Sequence, residues 1–431
     1  MIVDGFAGGG GASLGIEMAL GRSPDVAINH NPVALAIHAT NHPNTRHLGG
    51  NIWDARPAEV AAGREVELLW LSPDCRHYSK AKGGQPRDKK VRSLAWVAVR
   101  WAREVRPRVI LLENVEEFAD WGPLLTDGTP CPARRGLTFR RWVGSLRGAG
   151  YQVEWRELRA CDYGAPTTRK RLFVVARRDG DPIVWPSATH GRGLASYRTA
   201  AGCIQWEVEC PSIFGRARPL APKTLARVVR GIQRFVLGGA TPFVVGHSAP
   251  TLIQTGYGER DGQAPRSLDL HQPLGTVVAG GQKHALVASF LAKHYGGHEA
   301  TGSALTAPMS TVTTVDHHSL VTAPLRVGGD ARSVEALLAA YGEAQLPIGG
   351  ALVHVGGEAH AIVDVGMRML TPRELFRAQG FPDSYEIDPF MGEFGRRPNL
   401  REQVAACGNS VSPPVAAALV SANVCARRAA A

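Results

Sequence analysis

The sequence predicts an α/β protein in which a doubly wound parallel sheet is interrupted by a β-rich insert. Three observations lead there. Over residues 1–188, short apolar runs alternate with amphipathic helical stretches, which is the rhythm of βαβ units. The first run, Ile2-Val3, leads straight into Phe6-Ala7-Gly8-Gly9-Gly10-Gly11 and a helix starting near Ala12. Residues 189–365 then lose the rhythm and turn rich in Gly, Pro, Thr and His, before helical periodicity returns over 366–431. A chain of 431 residues buries a substantial core and divides into two or three domains. The last segment is expected to rejoin the first.

The elements follow in order. Glycines after the first strand let the backbone approach a ligand closely, although such a turn suits many nucleotide-like cofactors or simply a tight bend. A second strand ends at Ile28-Asn29-His30-Asn31-Pro32, and Gly50-Asn51-Ile52 lies further along the chain. The apolar run Val66 to Leu71 ends like a buried strand and delivers Ser72-Pro73-Asp74-Cys75-Arg76-His77-Tyr78-Ser79. That loop lies at a strand's C-terminal edge, where open α/β sheets place ligands. Arg76, His77, Lys80 and Lys82 around Cys75 favour the thiolate. Read alone, Cys75 fits either a nucleophile or the small buried hydrophobe that a lone cysteine more often is. Ser93 to Glu104 is an amphipathic helix, and Arg108 to Leu112 is a buried strand with Glu113-Asn114-Val115 at its tip.

Taken in order, these segments resemble the DNA cytosine C5-methyltransferases. Phe6 to Gly11 resembles the cofactor loop, Cys75 the nucleophile and Glu113-Asn114-Val115 the acid motif. Gly164-Ala165-Pro166-Thr167-Thr168-Arg169-Lys170-Arg171 resembles the arginine motif. Arg368-Met369-Leu370-Thr371-Pro372-Arg373-Glu374-Leu375 resembles the helix supporting the recognition domain, and Gly408-Asn409-Ser410-Val411 the final motif. The resemblance implies a Rossmann-like methyltransferase sheet with an inserted β-rich target-recognition domain at 189–365.

It also implies a chemistry. Carbon 5 of cytosine is too poor a nucleophile to attack a methyl sulfonium until a thiolate, here Cys75, has added at carbon 6. Glu113 then serves as the acid at N3, with Arg169 and Arg171 as the catalytic cations. The cytosine must be flipped out of the duplex. S-adenosyl-L-methionine is the implied cofactor, held by Phe6, Ala7, Gly8, Gly9, Gly10, Gly11, Asn29, His30, Asn51, Ile52, Pro73, Asn409 and Ser410. The chain departs from the family pattern at several of these places. Asp74 stands where a second proline is usual, Arg76 where glutamine is usual, and Thr167 where the arginine motif has glutamine. Asn29 replaces a ribose-binding glutamate and Asn51 an aspartate that meets the adenine. An amide still bonds a hydroxyl or an amino group.

The implied partner is double-stranded DNA, with a cognate restriction endonuclease as a companion activity and no obligate protein partner. The formal charge of +11 agrees, because it is concentrated. Residues 76–108 carry eleven Lys and Arg against two acids, and residues 134–178 twelve against three. Such clusters suit a phosphate backbone, although a charge run is usually a solvated face. Arg76, Ser79, Lys80 and Lys82 are the expected contacts from the catalytic loop. In the insert, Lys223 to Arg234 places Arg227, Arg230 and Arg234 on one helical face with no acid nearby, consistent with phosphate contact. Tyr257, Arg260 and Arg266, in a glycine-rich loop, are expected to read base edges. The insert also repeats itself: Pro273-Leu274-Gly275-Thr276-Val277-Val278 with Lys283-His284-Ala285-Leu286-Val287 returns as Pro308-Met309-Ser310-Thr311-Val312-Thr313 with His317-His318-Ser319-Leu320-Val321. That repeat fits duplicated reading surfaces and a bland structural duplication almost equally.

Other classes weigh less. Seven scattered cysteines indicate a reducing compartment. No leader and no bilayer-length apolar run is evident, so a cytoplasmic location is expected. No metal site is expected: Tyr295-Gly296-Gly297 spoils the spacing of His294 and His298, and Cys203 and Cys210 are too far apart for usual zinc spacing. A catalytically silent DNA-binding relative would lose Cys75 or Glu113, and both are present. An RNA cytosine methyltransferase shares the chemistry, yet a long insert favours duplex DNA, where sequence is read in a groove. The same insert would be superfluous for modifying a free nucleotide.

Overall fold

The central strands in the first part of the chain are short and apolar because helices cover both faces of the sheet there, whereas its two edge strands, Arg46–Gly49 and Gln152–Arg159, carry exposed polar residues. A computed structural model describes residues 1–74, 92–238, 242–256, 259, 262–293, 331–342, 351–355 and 358–425. Its helices are α1 (Gly11–Leu20), α2 (Pro32–Asn41), α3 (Pro57–Ala61), α4 (Val97–Glu104), α5 (Leu137–Gly148), α6 (Pro222–Gly231), α7 (Ala331–Tyr341), α8 (Pro372–Gln379), α9 (Leu400–Asn409) and α10 (Pro413–Asn423). The chain divides into two units. The first is Met1–Cys203, Pro273–Gly281 and Pro372–Ala431; the second is Ile204–Gln272 and Gln282–Thr371.

In the first unit, strands β1 (Ile2–Gly5), β2 (Val26–Asn29), β3 (Arg46–Gly49), β4 (Leu68–Leu71), β5 (Val109–Asn114), β6 (Gln152–Arg159) and β7 (Lys170–Arg177) form one sheet. Their order is β3-β2-β1-β4-β5-β7-β6. The first five are parallel, whereas β7 runs antiparallel to both β5 and β6. Strand β6 thus runs in the direction of the first five, and the expectation of a parallel sheet fails only at β7. Residues 160–169 between β6 and β7 are too few for a parallel crossover. Period-two alternation sorts the side chains: Leu69, Leu71, Ile110 and Leu112 meet Trp101, Phe139 and Trp142 of α4 and α5. Leu68, Trp70, Val109 and Leu111 meet Ile16 of α1 and Val415 and Leu419 of α10 on the other face.

The C-terminal segment is part of that layer. Gly15 lies so close to Pro413 and Ala416 that a β-carbon there would collide with them, which seats α10 directly on α1. Leu400–Asn423 is long and apolar enough to cross a membrane by length and composition, contrary to the expectation that no such run exists. Its apolar window is 67% buried, and Ser410–Ser412 separates α9 from α10.

The second unit is an antiparallel sheet in the order β11-β12-β10-β8-β9. It comprises β8 (Ser248–Gln254), β9 (Ser267–Leu268), β10 (His284–Lys293), β11 (Leu352–Val355) and β12 (Glu358–Met369). Its core joins Ile253, Val287, Ile362 and Val365 to Val228 and Val229 of α6 and Leu338 of α7. The changeovers differ from residues 189 and 365. Thr189 and Tyr197 both bond Asp162, which keeps the chain on the first unit to Cys203. Arg368 donates to the carbonyls of Gln205 and Val208, holding the end of β12 in the second. The motif Arg368 to Leu375, expected as helix, is thus the end of β12 and the start of α8. The first copy of the near-repeat is divided, Pro273–Val278 lying in the first unit and Lys283–Val287 in the second, and its second copy lies outside the described residues.

Candidate active site

The glycine turn after β1 is a built structure. Phe6 sits at φ 63°, Gly8 at 55° and Gly10 at 92°; a bulky residue with positive φ is strained and persists only where its surroundings enforce it. Ala7 N–H donates to Ile28 O, and Gly10 N–H to Ala7 O. Gly10 is the N-cap of α1 with no side-chain cap. Gly11 can carry no side chain because the Val411 carbonyl occupies the space, and Gly9 packs on Ala406 and Ser410. Ser410, buried, donates to Ala406 O at 2.9 Å, while Asn409 is exposed at the end of α9. Tyr385, which no local pattern marked, donates from its hydroxyl to Gly9 O at 2.8 Å.

Beneath the turn is a buried polar chain. Ser13 Oγ donates to Asp4 Oδ2 at 2.7 Å, His38 Nε2 lies 2.9 Å from Ser13 Oγ, and His38 Nδ1 lies 2.8 Å from His47 Nε2. Burial pushes the Asp4 carboxyl up to about 7 and, with the neighbouring imidazoles, pushes His38 well down. Its components are scattered over residues 4–47, so no motif announced it.

At the ends of β2 and β3 the two departures from the family pattern have local work. Asn29, at the tip of β2, accepts from Asn31 N–H at 2.9 Å, and exposed Asn51 accepts from Trp53 N–H at 3.1 Å. Both amides commit their oxygen to a turn, and no bond from either amide nitrogen is made among the described residues. His30 is exposed and Ile52 buried.

The ends of β4 and β5 come together next. Asn114 Nδ2 donates to Pro73 O at 3.0 Å, and Trp70 Nε1 to Ser72 Oγ at 2.9 Å, so the chain two residues before Cys75 is held from both sides. Cys75, Arg76, Ser79, Lys80 and Lys82 lie outside the described residues. Glu113, expected just beyond a strand, is inside β5 and only 6% exposed. Its Oε1 is 3.3 Å from Arg171 Nε and 3.8 Å from Arg169 Nη2, and has no hydrogen-bond partner among the described residues. The antiparallel register makes this possible, since Glu113 faces Phe173 and Asn114 faces Leu172, bringing Arg171 alongside. Arg169 is 4% exposed and donates through Nη1 to Val277 O and Gly408 O. Thr167, fully buried, donates to Gly275 O at 3.2 Å.

In the second unit the arginine face needs correction. Arg227 is 4% exposed and paired with Glu259, an acid too distant in sequence to be seen from helical spacing. That pair holds the Glu259 carboxyl below its usual range and takes Arg227 out of any phosphate surface. Arg230 is half-buried and Arg234 exposed, its guanidinium 4.9 Å from the Phe235 ring centre. Arg266 is half-buried, and Tyr257 and Arg260 lie outside the described residues. Among the described residues no group of His, Cys, Asp and Glu is arranged to hold a metal.

A glycine turn at the switch point of this sheet and a carboxylate set between two guanidiniums at the neighbouring strand tip define an α/β group-transfer domain. The C-5 cytosine-specific DNA methylase family matches residues 1–192 and 286–424, and the chain belongs to that family. It is 30% identical over 200 residues to the Type II methyltransferase M.AgeI of Thalassovita gelatinovora, covering 45% of this chain and 43% of that protein. It is 32% identical over 206 residues to M.SacI of Streptomyces achromogenes, covering 43% and 50%. The matches thus span about half the length of these relatives. The fold is similar to that of Spodoptera frugiperda DNMT2, with TM-score 0.54 and 15% identity over 98% of both chains. It is likewise similar to the S. pombe Dnmt2 methyltransferase, with TM-score 0.53 and 14% identity over 98% of this chain and 97% of that one.

Proposed function

We propose that this protein transfers a methyl group from S-adenosyl-L-methionine to carbon 5 of a flipped cytosine in duplex DNA, through a covalent adduct with Cys75. The observation that carries the proposal is Glu113: a buried carboxyl with an orphaned Oε1, flanked by Arg169 and Arg171. It is one residue from Asn114, which grips the strand leading to Cys75. A buried carboxyl oxygen that has ion pairs but no hydrogen bond among the described residues is poised for a partner that arrives.

The chain's own residues divide the work. The Cys75 thiolate adds to carbon 6, and the charge this places on the ring is met by a proton from Glu113 at N3 and by the Arg171 cation at O2. Carbon 5, now nucleophilic, takes the methyl group; loss of its proton to a base and expulsion of the thiolate restore the aromatic ring. When bound, the sulfonium cofactor supplies that methyl as an electrophile. The residues present fit it: a β-carbon at Gly8 would meet only Phe6 O, at 3.8 Å, so the turn is open above the uncapped N-terminus of α1, beside the amides of Asn29 and Asn51. The β-rich second unit is the candidate target reader, and the protein is expected to act in the cytoplasm on nucleoid DNA.

A duplex carrying 5-fluorocytosine at the target tests the chemistry, because fluorine cannot leave as a proton and the adduct is trapped. Native protein with cofactor should form a denaturation-resistant complex, and Cys75→Ser should not. Glu113→Gln should slow methylation roughly 10²-fold, since an amide cannot deliver the proton. Trapping by the serine variant, or preferential methylation of RNA over duplex DNA, would overturn the reading.

A further inference from the structure

The two arginines beside Glu113 are held differently. Arg171 keeps 15% of its side chain exposed, as a group that meets a substrate must. Arg169 is buried, and its Nη1 hydrogens point at two backbone carbonyls, Val277 O at 3.0 Å and Gly408 O at 3.2 Å. Its Nη2 stands 3.8 Å from Glu113 Oε1, close enough for Coulomb attraction and too far for a hydrogen bond.

Val277 belongs to a strap, Pro273–Gly281, that packs with the first unit although the residues on either side of it belong to the second. The strap is fastened along its length. Leu274 N–H donates to Pro166 O at 2.9 Å, Thr168 N–H to Leu274 O at 2.8 Å, and Thr167 Oγ1 to Gly275 O at 3.2 Å. Its far end lies against Gly408, where any side chain would collide with the backbone of Val278 and Ala279. Every one of these fastenings converges on the segment that carries Arg169 or on the carbonyl that Arg169 bonds.

We infer that Arg169 is a positioning residue, set in place by the Pro273–Gly281 strap, whose fixed guanidinium orients Glu113 for the reaction. The inference rests on the reading of Glu113 as the acid at N3. It gives the first near-repeat segment a job: Pro273-Leu274-Gly275-Thr276-Val277 works as a brace inside the catalytic unit through its backbone carbonyls. It also accounts for Thr167, whose short hydroxyl reaches a strap carbonyl from a fully buried position.

Steady-state methylation of duplex DNA by native protein, Arg169→Met, Arg169→Lys and Thr167→Val, with a melting curve for each, tests this. Arg169→Met should lower kcat about 10²-fold, the effect expected of a small misplacement of a reacting group. KM for DNA and for S-adenosylmethionine should stay within about threefold, because neither ligand touches Arg169. Arg169→Lys, which restores a cation and donors, should recover about tenfold of the loss. Thr167→Val should move kcat in the same direction as Arg169→Met, and by less. Unchanged kcat in Arg169→Met, or an effect confined to KM, overturns the inference. If Arg169→Met does not fold, native kcat in both Arg169→Lys and Thr167→Val overturns it instead. Native protein that neither methylates nor is trapped by 5-fluorocytosine would sink the active-site reading itself, a result distinct from any of these.

Discussion

Asp4 is a carboxyl with nowhere to put its charge. It is fully buried under the glycine turn, takes one hydrogen bond from Ser13, and its Oδ1 has no partner among the described residues. Burial raises it from the ordinary 3.8 to about 7. A carboxyl raised in the folded state contributes stability that is complete below its unfolded pKa and is lost as pH rises through the folded one. Native protein should therefore lose stability between about pH 4 and 7, by an amount on the order of a few kcal/mol. Asp4→Asn should flatten that limb in urea titrations across the window, and an unchanged slope would show that Asp4 titrates normally. Single residues differ in how much the sequence reveals of them. Glu113 was legible because an apolar strand announces its own end. Asp4 was not, because its significance comes from Ser13, His38 and His47, whose convergence is made by the sheet.

Helix α6 shows the same limit one level up. Helical spacing groups Arg227, Arg230 and Arg234, yet α6 ends at Gly231 and Arg234 falls in the π-helical turn Ile232–Leu237, and the partner of Arg227 is Glu259 from a loop after β8. The two arginines at the ends of this series should now behave differently. Arg227→Ala should destabilise the second unit by about 3 kcal/mol by stranding the Glu259 carboxylate. Arg234→Ala, at an exposed site, should leave the melting temperature unchanged and reduce the slope of DNA affinity against salt by about one. Thermal melts and binding isotherms at several salt concentrations separate the outcomes, and an Arg227 variant that melts normally while losing salt dependence would return that residue to the DNA surface. Elements whose signal is periodic burial, such as β1, β4, β5 and α4, were readable; the antiparallel turn-back of β7 was not, because strand direction is set by connection length and leaves no mark on the strand itself.

At the scale of the molecule, the loss of βα rhythm marks 189–365 as different, while the compact units change over at Ile204 and Pro372, where bonds to Asp162, Gln205 and Val208 hold the chain. The strap within the insert was invisible, since nothing in Pro273–Gly281 says which unit its carbonyls will serve. Assigning recognition to the second unit predicts that Arg266→Ala weakens discrimination between a cognate and a scrambled duplex by about 1–3 kcal/mol if it meets a guanine edge. Methylation chemistry should be untouched in that variant. Isotherms on the two duplexes decide it, and equal weakening on both would make Arg266 a phosphate contact.

The seating of α10 on α1 has a bearing on how the protein is made. Helix α1 carries Ile16 and Ala12 toward an apolar layer that Val415 and Leu419 complete, and those residues follow some four hundred positions later in the chain. Contacts so distant in sequence form late. Until α10 has been made, that face of the sheet has only part of its cover, and the glycine turn lacks the wall that Ser410 and Val411 supply. The turn is therefore completed only after the residues of the second unit have been made.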